Sequence, residues 1–389
     1  MRVVMVSGSY PPQPCGVGDY TQRLVDELRR AGISVDVVTT ETSNRTSAVP
    51  VQYTLRKWTI RNWIAALRWM RSEQYDIMHI QYPARFYGYR PSLGFLTILA
   101  KVFIPGLPVV ISLHEFRITH LLRKLTSVAL LSPASAILLT AESERTVVER
   151  WMPWIRSRLH VLPLASTIPE VLTSMDRRTQ LRRSYGIADE ETVFVYFGLL
   201  HPNKGIEKLL QSFHAVHQKN SRTRLLMLSL FEPSTTPYHA SLQETVARLK
   251  IADAVVWAGY LDNLGVSEHL ASADIGFFPF QDGVTLRRLS FMTAMTHGLP
   301  ILTTSGDAVT SEIGLQDGEN VFLIRADASA EETADRLLAL AEDSRLRARL
   351  ASGARVWAGP FQWKVILEKL VMIYGHIAGA PDIAPHYDG

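Results

Sequence analysis

Short apolar runs alternate with amphipathic segments along nearly the whole chain, and this rhythm restricts the fold more than any other feature. "RVVMVSGS" reads as a buried strand, and "YTQRLVDELRRAG" then sets Tyr20, Leu24, Val25 and Leu28 on one helical face before stopping at Gly32. Apolar strands separated by such helices mark βαβ units around a parallel sheet. The strand series continues through "ISVDVVTT", "YDIMHIQY", "PVVISLH" and "SAILLTAE" to about residue 142, and "HVLPLAS" at 160–166 closes it. A second series follows "MDRRTQLRRSYGI": "TVFVYFG" at 192–198, a helix from Ile206 to about His217, then "TRLLMLSL", "DAVVWAGY", "ADIGFFPF", "LPILTTSG" and "NVFLIRAD".

At 389 residues the chain exceeds what one hydrophobic core serves, so the two series predict two Rossmann-like α/β domains of similar size. We place an N-terminal domain at 1–170 and a C-terminal one at 171–360. A terminal amphipathic helix at 361–380 carries "WKVILEKLVMIYGHIA", and a frayed tail follows at 381–389.

The net charge of +4 is too small for a duplex nucleic-acid binder and fits an anionic small ligand or an anionic bilayer. A single cysteine, Cys15, excludes an internal disulfide framework and any metal-type cysteine spacing, which predicts a cytoplasmic protein. The N-terminal apolar run is too short for a signal segment. The longest apolar stretch, "LGFLTILAKVFIPGLPVVISLH", is broken by Lys101, Pro105, Gly106 and Pro108, so no membrane-spanning helix is expected.

In doubly wound domains ligands lie beyond the carboxyl ends of the strands, so the loops after strands carry the chemistry. In "GSYPPQPCGVGDYT", Gly16 and Gly18 directly precede a helix, where bare amides suit a phosphate. The spacing is not that of a dinucleotide fingerprint, and on the glycines alone a mere tight turn is an equal reading. "SLHEF" puts His114 and Glu115 just past an apolar strand. In "FGLLHPNKGIEKLLQSF", Gly198 ends a strand and Lys204 sits at a helix N-terminus, against the macrodipole. A diphosphate there would make that placement favourable. "DGVTLRRLS" puts Arg287 and Arg288 in a turn led by Gly283, after one strand and before the helix of "FMTAM". Adjacent helical residues point about 100° apart, so one arginine is expected to hold a phosphate while the other braces the loop.

Together these pieces resemble a GT-B glycosyltransferase of the large retaining family four, over almost the whole length. "YPPQPCGVGDYTQRLVDELRRAGISVDVVTT" is similar to that family's opening, and "FGLLHPNKGIEKLLQSF" matches its strand, K-G and helix element. "VVWAGYLDN", "ASADIGFFPF" and "AMTHGLPILTTSG" follow in order, and "PFQWKVILEKLVMIY" resembles the terminal helix that returns to the N-terminal domain. The resemblance implies two Rossmann-like domains facing across a cleft and a nucleotide-diphosphate sugar as donor. It implies that Gly16 and Gly18 offer amides to the diphosphate, that His114 lies beside the transferred sugar, and that Lys204 grips the diphosphate. Two positions depart from the family: Leu199 stands where an arginine is usual, and Thr285 and Thr293 fall where paired glutamates hold the donor. A three-residue insertion instead makes Asp282 the first acid. The missing arginine is then replaced in space by Arg287 or Arg288, with Arg288 preferred.

Departure of the nucleoside diphosphate builds up charge that fixed cations and amides can carry without a metal. No D-x-D motif is present, and metal independence is expected; no other cofactor is called for. The resemblance implies retention by front-face attack, with His114 positioning the sugar. The acceptor is a glycan, a lipid-linked molecule or a small molecule. Trp58, Trp63 and Trp69 among Arg56, Lys57, Arg61, Arg68 and Arg71 fit a helix resting peripherally on an anionic bilayer, and so do Arg117, Arg123 and Lys124. They fit equally a helix with core tryptophans and solvated arginines. Two rival readings stay open: a non-catalytic partner subunit that binds nucleotide or glycan, and a nucleotide-sugar epimerase.

Overall fold

The computed structural model describes residues 1–11, 15–40, 51–82, 87, 94–114, 116, 121–306 and 313–380. Glu115, Arg117, the side chain of Arg123 and the tail 381–389 lie outside the described residues. The chain divides into two compact units, Met1–Ala165 joined by the C-terminal segment from Trp363, and Ser166–Gln362.

The first unit is built on a seven-stranded parallel sheet: β1 Arg2–Ser7, β2 Ser34–Thr40, β3 Tyr53–Leu55, β4 Ile77–Tyr82, β5 Val109–Leu113, β6 Ala136–Leu139 and β7 Leu159–Val161, in the order β3-β2-β1-β4-β5-β6-β7. Strand β1 pairs with β2 on one side (Val3 opposite Val35) and β4 on the other (Val4 opposite Met78). The strand order therefore reverses between β1 and β4, the position at which doubly wound sheets open a ligand crevice.

Both faces of this sheet are apolar, which is why its strands read as continuous runs rather than alternating ones. Val4, Val6, Met78, Ile80 and Ile111 pack on one side with Trp58 and Trp63. Val3, Met5, Val35, Val37 and Val110 pack on the other. That second side is covered by the helix Gly16–Arg30, through Tyr20, Leu24 and Leu28, and by the terminal helix Trp363–Ala378, through Ile366, Leu367, Leu370 and Tyr374.

Trp58 and Trp63 are therefore core residues, and the Trp63 indole N–H donates to the carbonyl of Leu96 at 3.1 Å. Trp69 is partly buried and stacks on Tyr53 at 5.0 Å. The arginines of the same helix, Arg61, Arg68 and Arg71, stay exposed, so the solvated-face reading of this segment is the one the fold adopts. Strand β3 is absent from the sequence reading because three residues, YTL, present no apolar run long enough to register.

The second unit holds a six-stranded parallel sheet: β8 Thr192–Phe197, β9 Thr223–Leu228, β10 Val255–Trp257, β11 Ile275–Phe278, β12 Ile301–Thr304 and β13 Phe322–Ile324. Its order is β10-β9-β8-β11-β12-β13, so it switches between β8 and β11. All six runs singled out in the second half of the sequence are strands of this sheet.

Candidate active site

The two loops that leave the switch point of the second sheet, after β8 and after β11, carry Lys204 and Arg288. After Phe197 the chain turns at Gly198 (φ 137°), passes Leu199 and makes a 3-10 turn, Pro202–Lys204. It then enters the helix Ile206–Lys219 through Gly205 (φ 72°). A Cβ on Gly205 would lie 1.9 Å from the carbonyl oxygen of Pro279, so only glycine lets the two loops approach this closely. The Gln281 amide donates to the carbonyl of Asn203 at 3.3 Å and joins them again.

The second loop leaves β11 at Phe278, and Pro279 ends the strand, leaving Phe280 beneath the cations. The Lys204 Nζ sits 5.4 Å from the centre of the Phe280 ring and the Arg288 guanidinium 4.6 Å from it. Ring faces attract cations, which holds two like charges side by side where they would otherwise repel. Burial pulls the Lys204 pKa down to about 8, the nearby Arg288 charge adds to the fall, and Asp282 opposes it.

Asp282 forms an ion pair with Arg288, whose side chain is only 11% exposed. The carboxylate thus aims the arginine. Gly283 (φ 79°) lets this loop pass against the next, since a Cβ there would fall 2.4 Å from the Cα of Gly306. The Arg288 amide donates to the carbonyl of Thr285 at 3.0 Å and closes the turn.

The helix after this turn starts at Leu289, with Arg288 as its N-cap, so neither arginine is helical and the expected 100° helical offset between them is absent. Arg287 is half-buried in the same turn. Leu199, standing where an arginine was looked for, is 77% exposed. Thr293 stands apart: it is 1% exposed, its hydroxyl is 2.9 Å from that of Ser166, and its carbonyl accepts from His297 Nδ1 at 2.8 Å. That placement makes Thr293 an interior post of the unit, not a residue that faces a donor. Phe280 escaped the sequence reading because "IGFFPF" registers as one strand; Pro279 is the signal that its last residue leaves the sheet.

In the first unit the loop after β1 leads to the helix Gly16–Arg30, so Gly16 and Gly18 belong to its first turn and do not precede it. The first hydrogen bond of the helix runs from the Asp19 amide to the carbonyl of Cys15 at 2.8 Å, and the side chain of Cys15, the N-cap residue, makes no capping hydrogen bond. First-turn amides have no partner within a helix, which leaves this end suited to an anion. Gly18 also has a packing reason, since a Cβ there would touch Ser9 O and Oγ at 3.3 Å.

His114 follows β5 directly and is 7% exposed. Its Nε2 lies 2.8 Å from Gln81 Oε1, and its ring meets Tyr20 edge-on at 6.4 Å. Among the described residues no group of three or more His, Cys, Asp or Glu could hold a metal ion. No helix among them is long and apolar enough to cross a membrane.

Two Rossmann-type units, with paired cations at the switch point of the second, define the class as GT-B. The chain belongs to the family-four, group-1 glycosyltransferases: residues 14–165 match the family described as Glycosyltransferase Family 4, and residues 191–343 match Glycosyl transferases group 1. It is a transferase enzyme. Among its relatives, the phosphatidyl-myo-inositol mannosyltransferase of Mycobacterium tuberculosis is 22% identical, with 98% of each chain covered. The D-inositol 3-phosphate glycosyltransferase of Geodermatophilus obscurus is 26% identical over 60% of this chain, which spans about half (51%) of that relative. Sucrose-phosphate synthase from Thermosynechococcus elongatus has the same fold, with a TM-score of 0.74 at 17% identity, covering 98% of this chain and 100% of that one. Anabaena HepE in complex with UDP and glucose has a TM-score of 0.73 at 17% identity, covering 97% and 98%.

Proposed function

We propose that this enzyme transfers a hexose-type sugar from a nucleotide-diphosphate sugar with retention of configuration and without a metal. The observation that carries the reading is the seating of Lys204 and Arg288 on one aromatic ring at the switch point of the second sheet. Two preset cations meet the charge that grows on the diphosphate as the anomeric bond breaks, and they need no reorganisation to do so. Arg288 takes the part of the arginine absent at Leu199. The family resemblance assigns the Gly16 and Gly18 amides to a donor diphosphate and His114 to the transferred sugar. The acceptor is a glycan, a lipid-linked molecule or a small molecule, and the protein is placed in the cytoplasm or at the inner face of its membrane.

A melting-temperature panel of UDP-, GDP-, ADP- and TDP-sugars, each with and without EDTA, tests the donor reading. A matching donor at about 100 times its Kd adds about 2.7 kcal/mol to the folded state, a rise of several degrees. The rise is expected to survive EDTA. Loss of the shift in EDTA would end the metal-free reading. No shift with any nucleotide, together with Lys204→Ala behaving as the parent, would end the donor reading.

Support for a lipid-linked acceptor comes from a different surface from the tryptophan helix. Phe95, Ile98 and Val102 are exposed along the helix Leu96–Phe103 and its cap, next to exposed Lys101. Leu121 and Leu125 are exposed on the neighbouring helix Leu121–Leu131. Exposed apolar side chains beside a cation suit an anionic bilayer. Sedimentation with phosphatidylglycerol vesicles is expected at low salt, to weaken toward 0.5 M salt, and to fall in Val102→Glu/Leu125→Glu; no sedimentation at low salt would remove the idea.

A further inference from the structure

The interior of the first sheet contains a row of polar side chains that the fold alone does not require. His79 and Gln81 on β4 are both fully buried; in register His79 lies between Met5 and Val110, and Gln81 between Ser7 and Ser112. Buried polar groups destabilise unless each finds a partner, and apolar residues of similar size would serve the packing at least as well.

Here the partners form a line. Tyr374 OH, on the terminal helix, is 2.5 Å from His79 Nδ1, and Ser112 Oγ is 2.8 Å from His79 Nε2. The Gln81 amide nitrogen is 3.4 Å from His79 Nε2 and 3.6 Å from the Met5 sulfur. Gln81 Oε1 then meets His114 Nε2 at 2.8 Å.

A thioether accepts hydrogen bonds and cannot donate, so Met5 faces the amino end of the Gln81 amide and leaves the carbonyl end for His114. His114 Nε2–H is thereby the donor, and His79, accepting at Nε2, donates Nδ1–H to the Tyr374 oxygen. Burial, with the neighbouring His114, pulls the His79 pKa down to about 3, so this histidine stays neutral and the pattern holds at ordinary pH.

A second tie has a separate origin. Trp363, the first residue of the terminal helix, stacks on Tyr20 with ring centres 5.4 Å apart and planes 26° apart, and Tyr20 in turn meets the His114 ring edge-on.

We infer that the terminal helix orients His114 by two routes, a polar one through Tyr374, His79 and Gln81 and an aromatic one through Trp363 and Tyr20. These five are positioning residues for that histidine. The inference rests on the reading of His114 as the group beside the transferred sugar, and the measurements separate the two ideas.

In protein labelled with 15N-histidine, the parent is expected to show His114 as the Nε2–H tautomer and His79 as a ring that does not titrate between pH 5 and 8. Tyr374→Phe and Trp363→Leu should each shift the His114 ring signals, and Gln81→Met should give a mixture of tautomers, with melting temperatures and circular dichroism confirming that each variant folds. For the nucleotide sugar with the largest melting shift, these variants should lower kcat by about 10- to 100-fold, the scale of a slightly misplaced catalytic group, with KM within about twofold. His114 signals unchanged in both Tyr374→Phe and Trp363→Leu would overturn the inference. Normal turnover in His114→Ala would overturn the role given to His114 while leaving the orientation measurement standing.

Discussion

Lys204→Ala is expected to lower turnover by about 100- to 1000-fold, the usual loss when one preset charge stabiliser of a transition state is removed. Donor affinity should fall by less. A hydrogen bond to a charged group contributes about 1.5–3 kcal/mol, which corresponds to roughly 10- to 150-fold in Kd. The fold should not suffer, because Lys204 is a half-buried cation that Arg288 repels, both seated on Phe280. Removing one relieves that repulsion, so the melting temperature of the free enzyme should stay level or rise while function is lost. Titration calorimetry of the donor beside a melting curve separates the outcomes. Affinity within about twofold of the parent would show that Lys204 does not touch the donor, and a lower melting temperature would show that it serves packing instead.

The same lysine sets a pH dependence of known sign. Its pKa in the folded protein is about 8, down from 10.5. An anionic donor binds the ammonium form, so affinity should be flat below that value and decline as pH rises through it, by up to about tenfold per unit. Stability of the free enzyme runs the other way. The unfolded chain holds this proton more tightly, so the penalty of burying the charge is present below pH 8 and fades as pH rises from there toward 10.5. Lys204→Arg, which keeps its charge throughout, should flatten the affinity profile.

The reach of the sequence follows the range of the forces involved. Strands buried on both faces are largely apolar, so all but the three-residue β3 can be read directly, and the K-G turn after β8 declares itself because glycine must adopt a left-handed conformation there. Arg288 could be placed after a strand and before a helix for the same reason. That it shares a ring with Lys204 depends on loops separated by about eighty residues in sequence, and no local pattern encodes such a meeting. Thr293 shows the opposite limit: its position relative to the family's glutamates is a matter of alignment, whereas its burial against Ser166 is a matter of packing. His79 and Gln81 sit in "IMHIQY" as polar residues in an apolar strand, a visible signal. Their partner Tyr374 lies nearly three hundred residues away, on a helix whose docking only the folded unit reveals.

Gly205→Ala should be among the most damaging single-methyl changes in the second unit. Two effects add. At φ 72° the backbone is left-handed, which costs a residue bearing a Cβ about 1–2 kcal/mol. The new methyl would also lie 1.9 Å from the Pro279 carbonyl oxygen, a backbone atom that cannot swing aside as a flexible side chain could. Relieving such overpacking typically adds a further 1–3 kcal/mol. Gly32→Ala is the internal control: its φ is 79° but nothing lies within 4 Å of the added methyl, so only the conformational penalty applies. Gly205→Ala is thus expected to lose about 1–3 kcal/mol more than Gly32→Ala in urea unfolding, the scale set by overpacking alone. Because the displaced atoms are those of Pro279, the shift passes directly to Phe280, the ring beneath Lys204 and Arg288. Donor affinity should therefore drop in Gly205→Ala and stay at the parent value in Gly32→Ala. Equal losses of stability in the two variants, or full donor affinity in Gly205→Ala, would mean that the close approach of the two loops is not what holds the cations on their ring.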